Sequence, residues 1–289
     1  MTDRPRRSAL YMPASNARAI EKARSLDCDA VILDLEDAVA PDQKPTARDQ
    51  AVAAVKAGGF GRRELIIRCN GLDTPWGADD LAAAAAAGPD AVLVPKISSP
   101  EDIAACDAAL AGAPAHTKLW AMIETCAAVL DLKAIGSARQ GRLSAFVVGL
   151  NDLAKEMHGR QTPDRAPHLP LLALTVAAAR ANGLIALDSV CNALEDPDLL
   201  ERQCRQGAEL GFDGKTLIHP GQLEIANRLF SPEPEEVAFA QAVIAAFADP
   251  ENAGKGALRV EGRLAERLHL GEAERLVAIS EAIAAAQAG

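Results

Sequence analysis

The sequence predicts a (β/α)8 barrel with a C-terminal helical extension, and three observations carry that expectation. Short apolar runs alternate with alanine-rich amphipathic segments, the pattern of repeated β-α units around a parallel sheet. Eight such runs precede His219. Nearly every run delivers an ionisable side chain at its carboxyl end, where a barrel gathers its βα loops. A doubly wound open sheet would leave the same local signal. Strand number and a length of 289 residues favour the barrel.

The first run, Ala9–Met12, passes through "YMPAS" into a helical segment, Asn16–Ser25. The second, Ala30–Asp34, opens "VILDLEDAVAP", in which Asp34, Glu36 and Asp37 follow a buried-type strand and Pro41 ends the loop before the helix Lys44–Ala57. Carboxylates this close repel one another and cost free energy to desolvate, so either water solvates them or cations face them. Leu65–Arg68 ends on Arg68 and Asn70 ahead of the helix Ala78–Ala87. Ala91–Val94 leads to Lys96 and the helix Pro100–Ala111. Leu119–Ile123 ends on Glu124 before Ala127–Ile135, and Ala145–Val148 runs into "GLND" with Gly149 and Asp152. Leu184–Leu187 follows the helix Pro170–Ala181 and ends on Asp188; Gly214–Ile218 follows Asp198–Glu209 and ends at His219. The rhythm then changes. Pro232 and Pro234 mark a boundary, after which a helix, a Pro/Gly-containing turn, a short extended segment and a final helix follow. The chain thus divides into a barrel, residues 1–230, and an appendage, residues 231–289.

With 49% hydrophobic residues the chain can bury a large core, but only 3% is aromatic, so alanine and aliphatic side chains must fill most of it. Thirty Lys and Arg against forty Asp and Glu give a formal charge of -10, which argues against a nucleic-acid or anionic-membrane surface. The opening "MTDRPRRSAL" has no following apolar run of signal-peptide length, and no later stretch approaches a transmembrane span. A soluble cytoplasmic protein is the expectation. The six cysteines show no C-x-x-C pair and no zinc-type spacing, and read as reduced, mostly buried thiols.

Glu124 and Asp152 stand out because each follows a wholly apolar strand. Two oxygen ligands from adjacent strand ends suit Mg2+, which fills its remaining positions with water or substrate. Asp152 could equally cap the helix of "LAKEMH". The planar fork of Arg68 suits a carboxylate or thioester oxygen, or a salt bridge to Glu36 and Asp37. Lys96 could form a Schiff base or serve as an ion-pair partner for the acids around it. The glycines around Lys215 in "GFDGKTLIHP" could bring backbone N–H groups to a phosphate, a weak signal beside a true P-loop spacing. His219 reads as a structural histidine, and His116, His158, His168 and His269 carry no case.

Taken together, "ALYMPASNARAIEKA", "DAVILDLEDAVAPDQKPTAR", "IIRCNG", "VLVPKISSPEDI", "WAMIET", "VVGLNDLA", "LDSV" and "GFDGKTLIHPGQLEIANRLFSPEPEEV" resemble the citrate lyase beta-subunit-like family of coenzyme A ester lyases, within the HpcH/HpaI aldolase superfamily. The family also contains malyl-CoA, methylmalyl-CoA and citramalyl-CoA lyases and malyl-CoA thioesterases. The resemblance covers nearly the whole chain in the right order. It implies a barrel that assembles as a trimer or dimer of trimers, with Mg2+ on Glu124 and Asp152 and with Arg68 on the substrate's carbonyl or carboxylate oxygens. Glu36 and Asp37 would help hold the metal's water shell and orient Arg68 and Lys44. Gly149 and Lys96 join the substrate-binding set, and Arg18 and Lys22 would meet coenzyme A phosphates. In members that act on free coenzyme A esters, a C-terminal extension closes over a neighbouring subunit's site and contributes an acid from a motif like "DG-x-M-I-D-x-P". Here the stretch is "EGRLAERLH": Glu266 replaces the aspartate and the proline is absent. An extra methylene moves a carboxyl by more than ~1 Å, and misplacement on that scale can cost about 10²-fold in rate.

The leading expectation is therefore Mg2+-dependent cleavage of a 3-hydroxyacyl-CoA such as malyl-CoA to acetyl-CoA or propionyl-CoA and a 2-oxo acid such as glyoxylate. Arg68 would stabilise the enolate oxygen, and Glu266 from a neighbouring chain would handle the proton. The first alternative is hydrolysis of malyl-CoA to malate and free coenzyme A, with a repositioned Glu266 serving water attack. The second is a citrate lyase subunit acting on an acyl carrier partner. A Schiff-base aldolase working through Lys96 comes last.

Overall fold

A computed structural model describes residues 4–138 and 141–288. The chain forms two compact units, Arg6–Arg228 and a second built from Leu229 onward together with Arg4 and Pro5. In the first unit the order is β1 (Ser8–Pro13), α1 (Ala17–Ala23), β2 (Ala30–Asp34), α2 (Lys44–Ala57), β3 (Glu64–Arg68), α3 (Gly77–Ala87), β4 (Ala91–Val94), α4 (Pro100–Ala109) and β5 (Lys118–Ile123). It continues with α5 (Cys126–Leu130), α6 (Leu132–Ser137), β6 (Leu143–Val148), α7 (Leu150–Glu156), α8 (Leu169–Ala181), β7 (Ile185–Asp188), α9 (Pro197–Leu210), β8 (Gly214–Leu217) and α10 (Leu223–Leu229). The eight strands pair in parallel and in sequence order, and β8 closes on β1. This is the (β/α)8 barrel.

Local chemistry sets the element ends. Asn16, expected inside the first helix, instead caps it: its side chain accepts from the N–H groups of Arg18 and Ala19 at 3.1 Å. Ser99 and Asp102 form a reciprocal capping box at the start of α4. The single helix expected over Ala127–Ile135 is two, because Asp131 leaves helical geometry between α5 and α6. The buried positions Ala128, Leu132 and Ile135 nevertheless keep one face across the break.

Inside the barrel, alternate strand residues face one another, as the two-residue period of a strand requires. Ala9 and Tyr11, Ala30 and Ile32, Ala91 and Leu93, Trp120 and Met122, and Ala145 and Val147 all belong to this core. One fully buried indole thus sits among alanines. Trp120→Ala should cost about 3–5 kcal/mol, because backbone-bound strands cannot collapse into the gap. Urea unfolding monitored by far-ultraviolet circular dichroism measures it; a loss below about 1 kcal/mol would mean that the barrel repacks.

The second unit comprises α11 (Pro234–Ala248), an antiparallel hairpin of β9 (Ala257–Val260) and β10 (Arg263–Glu266), and α12 (Arg267–Ala288). The short extended segment expected from sequence is this hairpin. Glu261 and Gly262 both have positive φ, 48° and 83°, as a two-residue primed turn requires. Ala240, Val243, Phe247, Val260, Ala265 and Ala273 form the unit's own core. Among the described residues, no helix is long and apolar enough to cross a membrane. All six cysteines are free, five of them buried.

Candidate active site

A cavity of about 310 Å³ opens at the carboxyl ends of the barrel strands, lined among others by Tyr11, Asp37, Arg68, Glu124, Gly149 and Asp152. Strand register explains part of this convergence. Asp34 and Arg68 are partners across β2 and β3, and each ends its strand. Arg68 Nε and Nη2 donate to the two oxygens of Asp34, both at 2.7 Å, in the bidentate fork that guanidinium favours. The Tyr11 ring lies under the guanidinium, 4.6 Å from its carbon. Burial pushes the Tyr11 phenol well above its ordinary pKa, so it stays protonated.

"VILDLEDAVAP" is thereby accounted for. Asp34 serves twice, since besides the fork it accepts from the backbone N–H groups of Glu36 at 2.9 Å and Ala38 at 3.2 Å, turning the loop. Glu36 Oε2 lies 2.7 Å from Arg68 Nη1, and Asp37 Oδ2 lies 3.3 Å from the same nitrogen. Of these two, Asp37 lines the cavity, whereas Glu36 is packed behind the arginine. Burial pushes the Glu36 carboxyl up to about 8; Arg68 opposes that shift, and the charges of Asp37, Glu124 and Asp34 add to it. Lys44 is not held by these side chains. Its ammonium donates to the backbone carbonyls of Leu35 at 2.9 Å and Glu36 at 2.7 Å, which fixes the loop from below.

Glu124 is buried, and Asp152 sits in the first turn of α7 with about a third of its side chain exposed. The N-cap of α7 is Gly149, with no side-chain cap, so Asp152 is not spent on capping. Both carboxylates reach one cation. Lys96 Nζ donates to Asp152 Oδ2 and lies 3.4 Å from Glu124 Oε1, while the Lys96 backbone N–H donates to that same Glu124 oxygen at 2.9 Å. Burial raises the Glu124 carboxyl, and the charge and N–H of Lys96 pull it back. Gly149 is required by this arrangement: a Cβ there would come within 2.6 Å of Glu124 Cβ.

The remaining expected residues are not among those lining this cavity. Arg18 and Lys22 are exposed on α1 and do not line the cavity. Glu266 ends β10 in the C-terminal unit, where its backbone N–H donates to His269 Nδ1 at 2.8 Å. Lys215 corrects the phosphate reading. It is fully buried, with its ammonium 3.0 Å from Asp188, which Arg165 also grips. Its neighbouring glycines have backbone reasons: Gly211 caps α9 at φ 91°, and a Cβ on Gly214 would overlap the Arg6 carbonyl. His219, exposed after β8, accepts from the Gly221 N–H at 3.0 Å. The Schiff-base reading of Lys96 loses ground too. Burial pulls its pKa down, but the Asp152 hydrogen bond and the Glu124 and Asp152 charges outweigh that, so the amine stays protonated and poorly nucleophilic.

Residues 7–220 match the sequence pattern of HpcH/HpaI aldolase/citrate lyase. The chain belongs to this family. Among HpcH/HpaI relatives, a (3S)-malyl-CoA thioesterase of Cereibacter sphaeroides is 47% identical over 281 residues, 97% of this chain and 96% of that one. An L-malyl-CoA/beta-methylmalyl-CoA lyase of the same species is 33% identical over 98% of this chain and 96% of its own length. A solved HpcH/HpaI-type structure, CitE of Mycobacterium tuberculosis in complex with magnesium, acetoacetate and coenzyme A, superposes with TM-score 0.77 at 28% identity, covering 96% of this chain and 99% of that one.

The donor set fits a hard divalent ion. Two carboxylates, Glu124 just past β5 and Asp152 in the first turn of α7, already converge on a cationic ammonium, and no third acidic, histidine or cysteine ligand completes a larger cluster among the described residues. Mg2+ typically takes only one or two protein carboxylates and leaves its other positions to water and substrate.

Proposed function

We propose that the chain is a Mg2+-dependent thioesterase that hydrolyses malyl-CoA, or a close 3-hydroxyacyl-CoA, to the hydroxy acid and free coenzyme A. The observation that carries this reading is the 47% identity, end to end, with a malyl-CoA thioesterase, against 33% with a malyl-CoA lyase. It promotes the first alternative read from sequence above carbon-carbon cleavage.

Glu124 and Asp152 would hold the ion, which supplies Lewis-acid polarisation of substrate oxygens. Arg68 Nη1, 2.7 Å from Glu36 Oε2, also faces Met122 and Asp37 on the cavity wall, and its long 3.3 Å contact to Asp37 would give way to a hydrogen bond to the thioester oxygen as negative charge develops there. Its other two nitrogens are tied to Asp34, so little reorganisation is needed when the charge appears. Water oxygen adds to the thioester carbon, the C–S bond breaks, and the thiolate leaves with coenzyme A and takes up a proton. The proton of the attacking water would go to a carboxylate, and Glu266 of a neighbouring chain is the acid this reading gives that part. With it goes a cytoplasmic homo-oligomer, a trimer or dimer of trimers.

Purified protein with malyl-CoA and Mg2+ should release free thiol and malate in equal amounts, without glyoxylate. Glyoxylate with acetyl-CoA would overturn the thioesterase reading in favour of the lyase. Turnover only on an acyl carrier protein would make the chain a citrate lyase subunit.

A further inference from the structure

Lys96 follows β4 in the left-handed region, at φ 58°, a conformation that costs a non-glycine residue about 1–2 kcal/mol. That backbone turn aims two donors of one residue at one pair of acids. The N–H holds Glu124 Oε1 at 2.9 Å, and the ammonium reaches across to Asp152 while staying 3.4 Å from Glu124. The two donors differ in freedom. The N–H is fixed to the strand end, whereas the ammonium rides a flexible four-carbon stem with a side chain 38% exposed, so it can leave toward water. Asp152 is similarly open, at 36%, and Glu124 is closed, at 2%.

If Glu124 and Asp152 hold the divalent ion, as the proposed function requires, the ammonium and the ion claim the same two carboxylates. Two cations cannot share that space without strong mutual repulsion. We propose that Lys96 is an exchangeable counter-ion of the Glu124–Asp152 pair: its ammonium keeps the two acids together and withdraws when the divalent ion binds, while its N–H keeps Glu124 aligned throughout. Lys96 is then a positioning residue of the metal site.

The test is a Mg2+ titration by calorimetry, paired with thermal melts in EDTA and in saturating Mg2+, on wild type, Lys96→Met and Lys96→Gln. Removing the competitor should tighten Mg2+ binding by about two- to fivefold, the scale of a half-exposed ion pair. The melting temperature of either variant should fall in EDTA, where two carboxylates face each other without a cation, and return to the wild-type value in Mg2+. Unchanged or weaker Mg2+ binding, or an equal loss of melting temperature under both conditions, would overturn the exchange, since a cation that stays in place is missed whether or not the ion is bound. Should Lys96→Met not fold, Lys96→Gln carries the same comparison. Asp152→Asn separates this proposal from the reading beneath it: wild type with no Mg2+ binding that Asp152→Asn abolishes refutes the metal site itself.

Discussion

Glu124→Gln should cut turnover of malyl-CoA by about 10³-fold at any attainable Mg2+ concentration, the several kcal/mol that Lewis-acid stabilisation supplies. The substitution is nearly isosteric, and the amide oxygen can still accept from the Lys96 N–H, so the barrel should remain folded. What disappears is one negative charge at a buried position, where water cannot replace it. Asp152→Asn removes the same formal charge from a side chain 36% exposed, and its loss should be smaller. Steady-state rates across a Mg2+ series, with circular dichroism as the folding control, measure both. A Glu124→Gln enzyme with full Mg2+-dependent activity would remove Glu124 from the metal site.

The barrel was legible because parallel strands buried on both faces read as short apolar runs, and all eight proved to be strands. The rim was legible because a charge directly after such a run has nowhere to go but the carboxyl end. Partnership was not. Asp34 was seen as an acid, but its fork with Arg68 was missed, although a signal existed: Asp34 continues the inward face of Ala30 and Ile32, and Arg68 that of Ile66. Two inward-facing charges of opposite sign at the same height on adjacent strands must meet. Lys215 was misjudged for a related reason: it lay within the expected eighth strand, but only the pairing of β8 with β7, which sets it beside Asp188, shows that its ammonium is buried on that acid. The left-handed turn at Lys96 left no composition signal at all, because lysine is not a residue that announces positive φ.

Arg68→Ala should lose both activity and stability, for separable reasons. If Nη1 donates to the thioester oxygen as proposed, removing it should cost about 10²–10³-fold in kcat, the range for one preorganised oxyanion contact. Removing the guanidinium also strands Asp34, whose side chain is 1% exposed and keeps only two backbone N–H partners, and breaking such a buried pair costs about 3–5 kcal/mol. Arg68→Lys separates the two effects. A lysine restores a positive charge near Asp34 but cannot fork across both its oxygens and present a third nitrogen to the cavity. Its stability should therefore recover by more than half, while kcat stays about 10²-fold down. Urea midpoints and single-turnover thiol release give the two readings independently. If Arg68→Ala kept kcat within about threefold of wild type while losing stability, the arginine would be a strut for the β2 loop, and the oxyanion contact would have to be sought on another residue.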